Sequence, residues 1–145
     1  MSAVQEPAGL EKVRALLAAG GRPPIGERLE FSLVEVDLGR AVFEGVPGRF
    51  AYNPMGIVHG GYAATLLDSA CGIATASRLD PGERFTTLEL KVAYHRSMDE
   101  LTGTVRAEGN VVTFGKRIAY CEAKLTDAKG RLIASATSTL LRIPA

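Results

Sequence analysis

An excess of charge of either sign is missing from this sequence. Among its 145 residues, 17 Lys and Arg face 16 Asp and Glu, a net charge of +1. That balance excludes a broad footprint for nucleic acid or an anionic membrane, while leaving room for a few local cations that meet a phosphorylated small molecule. Cysteine is scarce as well. Cys71 and Cys121 stand far apart, in no C-x-x-C or other metal-ligand spacing, so no disulfide scaffold and no bound metal are expected, and both read as small buried apolar side chains. No run reaches the ~20 apolar residues of a membrane helix. Residues 1–21 carry acids early and lack a basic start followed by an apolar core, unlike a secretory leader. A cytoplasmic protein is expected.

What is there suits one globular domain spanning residues 1–145, with 46% apolar and 23% charged residues, large enough to bury a real core. No internal repeat or low-complexity linker divides it. Leu10, Val13, Leu16 and Leu17 recur at helical spacing before Gly20-Gly21 and Pro23-Pro24, which predicts a short helix over 10–19 within a peripheral N-terminal segment, 1–26. Alternation at Leu29, Phe31 and Leu33 predicts a strand over 27–37, with a hairpin partner over 41–46 after Gly39-Arg40. Residues 50–58 hold Asn53-Pro54 and Met55-Gly56 with no regular period, an ordered loop.

From His59 to about Leu79, apolar and small residues fall on nearly every face, the pattern of a helix enclosed on most sides. Four strands are predicted after it, over 85–96, 101–113, 116–126 and 131–142. In the first of these, Leu88, Leu90, Val92 and Tyr94 alternate with Thr87, Glu89, Lys91 and His95. A curved antiparallel sheet has one apolar face to cover, and that helix is the only large element available to cover it. The fold class is therefore α+β, with the sheet wrapped round one long central helix and a short N-terminal helix beside it.

Between Arg49 and Arg78 only His59 and Asp68 readily carry charge near neutrality. An enclosed carboxylate without partners costs several kcal/mol or takes up a proton, so Asp68 calls for an exposed helix edge, a neighbour such as Ser69 that satisfies it, or a chemical role. His59 precedes Gly60-Gly61 where the helix begins. Its first amides have no intrahelical partner and lie at the positive end of the dipole, a setting that suits a carbonyl oxygen gaining negative charge. A tight turn against the sheet would use the same glycines. Asp68 follows His59 by nine residues, which places it about half a turn round a helix and ~13 Å along it. One chain therefore does not easily bring both to one small substrate, and a shared site predicts a two-fold dimer with the Asp from the second subunit. Thr86 or Thr87, starting the next strand, can then orient a water for that carboxylate.

Asn53, His59-Gly60-Gly61, Asp68 in an Ala- and Leu-rich helix and then Thr86 together resemble the pattern of hotdog-fold acyl-CoA thioesterases of the PaaI-like group from phenylacetate degradation. The likeness covers nearly the whole chain, 27–143. It implies a homodimer with shared sites, assembled as a dimer of dimers (a homotetramer). It implies Asp68 as general base or nucleophile, the Gly60 amide polarising the thioester carbonyl, Asn53 and His59 placing the substrate, and Thr86 supporting the water.

Such hydrolysis needs one base, one oxyanion donor and exclusion of bulk water, and no cofactor, coenzyme A being part of the substrate. Gly61, Thr87 and Tyr62 are assigned to substrate binding. Leu66 and Ile73 join Tyr62 as possible lining of an acyl pocket. The phosphates of coenzyme A call for cations, for which His95, Arg96, Lys116 and Arg117 are the candidates and Lys91 a weaker one. The expected substrate is a small aromatic or a short- to medium-chain acyl-CoA. Two other readings keep the fold: a hydroxyacyl-thioester dehydratase, and an acyl-CoA-binding module without catalysis.

Overall fold

The computed structural model describes residues 6–145. Helix α1 (Ala8–Ala18) and a short α2 (Pro24–Leu29) precede strands β1 (Phe31–Asp37) and β2 (Arg40–Gly45). After a single 3₁₀ turn at Arg49–Ala51 comes the long helix α3 (Gly60–Ala76). Strands β3 (Arg84–Tyr94), β4 (Val105–Phe114), β5 (Ile118–Asp127) and β6 (Leu132–Ile143) follow. All six strands form one antiparallel sheet in the order β1-β2-β4-β5-β6-β3. The hotdog arrangement expected from the sequence is present.

Helix α2 departs from the expectation of a strand starting at residue 27. Pro24 supplies a preset helical φ at the first turn, and Glu30 at the helix end takes a left-handed φ of 56°. That reversal starts β1 at Phe31 and leaves Leu29 outside the strand. The strand expected over 101–113 begins later, at Val105, because Gly103 turns the chain with a φ of 77°.

α3 is covered on one side and open on the other. Ala63, Leu66, Leu67, Ala70 and Cys71 are fully buried and face the concave sheet, where each buried Leu contributes roughly 1.5–3 kcal/mol. Ala64, Thr65, Asp68 and Ser69 remain half-exposed on the outer face. The helix therefore is not enclosed on most sides within one chain. Its contact with the sheet is closest at Gly109 of β4, where an added Cβ would lie 2.6 Å from the Ala70 carbonyl. Gly109→Ala is expected to destabilise the protein by about 1–3 kcal/mol through this overpacking, read as a lower midpoint in urea at unchanged slope.

Cys71 on α3 and Cys121 on β5 are both free and buried. The Cys71 thiol is pushed up first by its hydrogen bond with Cys121 and then by burial. It stays protonated and plays the packing role expected of it.

Candidate active site

At its first turn α3 leaves one amide open. His59 caps the helix through Nδ1, which accepts the Gly61 N–H at 2.8 Å, and the Tyr62 N–H goes to the His59 carbonyl at 3.0 Å. Among the described residues the Gly60 N–H meets no acceptor, as the first amide of a helix commonly does not. Of the two glycine amides, only that of Gly60 is therefore open to an outside acceptor. Gly61, expected to contact substrate, has its amide committed to His59. With Nδ1 accepting, the neutral imidazole carries its proton on Nε2, which is left free to donate.

Around this helix start lies a cleft of about 370 Å³, bordered by Asn53, His59, Gly60, Tyr94, His95 and Arg96. Three sequence-predicted residues, Asn53, His59 and Gly60, and two of the predicted cations thus share one place. Asn53 builds its loop: Oδ1 accepts the Met55 N–H at 2.9 Å and the Ile57 N–H at 3.4 Å, so its amide nitrogen is the end left to donate. His95 is held by Ser135, Nε2 to Oγ at 2.9 Å. Tyr94, known to the sequence reading only as one of an alternating strand face, covers Gly60. Its hydroxyl donates to the Gly60 carbonyl at 2.6 Å, and a Cβ on Gly60 would stand 3.1 Å from its ring. A Tyr directly before His95-Arg96 was the available signal.

Asp68 stands elsewhere, about two and a half turns down the helix, half-exposed on the open face of α3. Its Oδ1 accepts from the Thr87 hydroxyl at 2.9 Å. Thr86, the position the family likeness singles out, is exposed and pairs in register with Leu141. The reason is a bulge: the β3–β6 register passes from Thr87↔Leu140 to Glu89↔Thr139, leaving Leu88 unpaired. Strict alternation placed Leu88 with Leu90 and Val92; instead Phe85, Thr87, Leu90 and Val92 are half-buried, while Leu88 is 53% exposed.

Thr87→Ala is expected to lower kcat about 10-fold by freeing the carboxylate, the loss of roughly 1.4 kcal/mol of charged hydrogen bonding. Thr86→Ala should leave kcat within twofold, and steady-state rates of the two variants separate the assignments.

Three other assignments change. Tyr62 is 3% exposed, wedged where Gly45 lacks a side chain and edge-on to Phe50 at 6.2 Å. Burial, and then the nearby Glu30, push its hydroxyl up to about 12, so Tyr62 is core and not a substrate contact; fully buried Leu66 is core too. Lys116 and Arg117 are exposed at the β4–β5 turn, where the Arg142 N–H donates to the Arg117 carbonyl at 2.7 Å. That turn adjoins the start of β3, whereas the His59 cleft adjoins its end. The 11 residues of β3 span ~35 Å, which keeps these two cations out of the cleft of their own chain. Among the described residues no cluster of three metal-ligating side chains occurs, and no helix is long and apolar enough to cross a membrane.

Residues 55–134, more than half of the chain, match the sequence profile of the Thioesterase superfamily. The chain belongs to the thioesterase superfamily. This thioesterase is 27% identical over 114 residues to the 1,4-dihydroxy-2-naphthoyl-CoA hydrolase of Listeria monocytogenes, a match covering 79% of this chain and 91% of the relative. Among solved structures it is similar to a thioesterase family protein from Silicibacter pomeroyi, with a TM-score of 0.82 and 26% identity over 95% of this chain and 100% of that one. The PaaI protein of the E. coli phenylacetic acid degradation operon shares the fold, with a TM-score of 0.82 over 94% of each chain at 19% identity. The enzyme is a thioester hydrolase with a PaaI-like hotdog fold, as its sequence pattern led us to expect.

Proposed function

We propose that this thioesterase hydrolyses acyl-CoA at sites shared between two copies of the chain. In each, Asp68 of one copy supplies the base or nucleophile and the helix start of the other receives the carbonyl oxygen. The observation that carries this reading is the placement of Asp68: a half-exposed carboxylate on the uncovered face of α3, with one oxygen fixed by Thr87 and no ion pair among the described residues.

Two surfaces support a two-fold partner. Among the described residues strand β3 pairs only with β6, so its other edge presents backbone without a partner strand there over most of 11 residues, beside exposed Leu88 and Tyr94. An edge that long and partly apolar is a template for another strand. The open face of α3 is lined by small residues whose hydroxyls are satisfied internally: Thr65 donates to the Gly61 carbonyl at 2.8 Å and Ser69 to the Thr65 carbonyl at 2.7 Å. Antiparallel pairing of two β3 strands sets the Tyr94 end of one copy beside the Phe85 end of the other. It thereby brings Gly60 of one copy toward Asp68 of the next.

In the chemistry this supports, the Gly60 N–H, at the positive end of α3, stabilises charge developing on the carbonyl oxygen. The Asn53 amide and His59 Nε2–H orient the thioester, and Asp68 either attacks the carbonyl carbon, giving a mixed anhydride that water then hydrolyses, or takes a proton from water that attacks instead. The thiolate of coenzyme A leaves, a good leaving group that requires no metal. His95 and Arg96 at the cleft mouth meet its phosphates.

The direct test is a panel of acyl-CoA substrates with release of free thiol as the readout, run beside light scattering. Thiol release by a species of at least twice the chain mass is expected; a fully active monomer, or a protein inert toward every acyl-CoA, would overturn the proposal. A homotetramer of paired dimers in the cytoplasm is the assembly and location proposed with it.

A further inference from the structure

The Gly60–Gly61 peptide at the start of α3 is gripped from both ends. Its N–H, that of Gly61, donates to His59 Nδ1 at 2.8 Å. Its carbonyl, that of Gly60, accepts from the Tyr94 hydroxyl at 2.6 Å. The first grip is local; the second comes from 34 residues away, at the last position of β3. Neither belongs to the regular hydrogen-bond ladder of a helix, which joins each N–H to the carbonyl four residues back.

Each glycine makes room for one of these grips. A Cβ on Gly60 would stand 3.1 Å from the Tyr94 hydroxyl oxygen, and a Cβ on Gly61 would stand 2.9 Å from His59 Nδ1. A side chain at either position therefore crowds the group that holds the peptide. Two successive glycines also lose more backbone freedom on ordering than other residues do, so the turn that carries the cleft is the part of α3 most in need of being held. Tyr94 is fit to hold it. Its ring is 53% exposed, yet desolvation pushes its hydroxyl up from the ordinary value, so it is protonated at neutral pH and donates to a carbonyl that can only accept.

We propose that Tyr94 is a positioning residue of the active site: acting through the Gly60–Gly61 peptide, it fixes His59 as an Nε2–H donor and aims the Gly60 amide into the cleft. The inference rests on the roles proposed above for His59 and Gly60. Hydrogen bonds in series polarise one another. Donation from Tyr94 draws charge onto the Gly60 oxygen and makes the Gly61 N–H a better donor to Nδ1. In a neutral imidazole the nitrogen that accepts is not the one that carries the proton, so the proton sits on Nε2. The backbone is set by the same contacts. Rotation of the Gly60–Gly61 peptide would break both grips together, and the neighbouring peptide, which carries the Gly60 N–H, shares the Gly60 α-carbon with it. Two donors of one site thus depend on a hydroxyl whose own proton is committed to a carbonyl.

Tyr94→Phe removes only that hydroxyl. The variant and wild type are compared by kcat and KM on the best substrate of the acyl-CoA panel, and by ¹H–¹⁵N correlation spectra of the substrate-free protein, in which His59 and His95 are the only two imidazoles. A kcat lower by about 10-fold is expected, with KM within about twofold. His59 Nδ1, an acceptor in wild type, should become partly protonated, and the Gly61 amide should exchange with solvent faster. Gly60→Ala leaves Tyr94 in place but displaces its hydroxyl, and should change the His59 ring in the same way; its spectrum decides if Tyr94→Phe loses native circular dichroism or its oligomeric state. In an enzyme that hydrolyses acyl-CoA, an unchanged Nδ1 signal, or a kcat kept within about twofold, overturns the proposal and leaves the catalytic reading standing. If the wild type is inert toward the whole panel and Nδ1 still responds to the loss of the hydroxyl, the clamp stands and the catalytic reading falls.

Discussion

Asp68→Asn is expected to lower kcat for acyl-CoA hydrolysis by about 10³-fold with little change in KM, the scale of removing a general base or an attacking carboxylate. Asparagine keeps the shape and still accepts the Thr87 hydroxyl through its amide oxygen, replacing the Oδ1 contact of 2.9 Å. It carries no charge and cannot take a proton at neutral pH. Because Asp68 lies half-exposed on the open face of α3, the thermal midpoint should move by only a few degrees. Stopped assays of thiol release, with differential scanning calorimetry of the same preparation, check both halves of the expectation. A variant that turned over within tenfold of wild type would remove Asp68 from the chemistry.

The second large effect is a rescue. Asn53→Asp keeps the Oδ1 acceptor that builds the loop through the Met55 and Ile57 amides, but it replaces the donating amide with a negative charge facing the cleft. Alone it should be nearly inactive. Mixed in equal amounts with Asp68→Asn chains, after dissociation and reassembly, half of the dimers pair one chain of each kind, and each of those holds one intact site. Activity should therefore return to about a quarter of wild type, by the statistics of a two-fold assembly with sites shared between chains. If both residues served a site within one chain, no mixture would recover activity.

The elements and their order were legible because the hydrophobic periods were clear. The helical spacing of Leu10, Val13 and Leu17 announced α1, and the all-round small and apolar run after His59 announced α3. The helix start was legible because His59 and two glycines stand where the small and apolar run begins, and the first amides of any helix lack an intrahelical partner. Periodicity failed where the backbone broke its own rule. An unpaired Leu88 shifted the face of β3 by one residue, which exchanged Thr86 for Thr87 as the neighbour of Asp68. It failed again at Tyr62, because nothing local tells a helix residue near a catalytic turn from one aimed into Gly45 and Phe50.

Composition and local pattern alone determined the class of fold and the position of the capped helix start, and singled out Asp68 as the one acid of the long helix. Those properties depend on residue type and on spacing along one element, where 3.6- and 2-residue periods act directly. Only the tertiary structure decided that Gly60 keeps its amide while Gly61 gives its own to His59, and that Thr87 and not Thr86 holds the carboxylate. Each of these depends on contacts between elements distant in sequence or on one unpaired residue in a ladder, and such relations arise only once the sheet has closed around its helix.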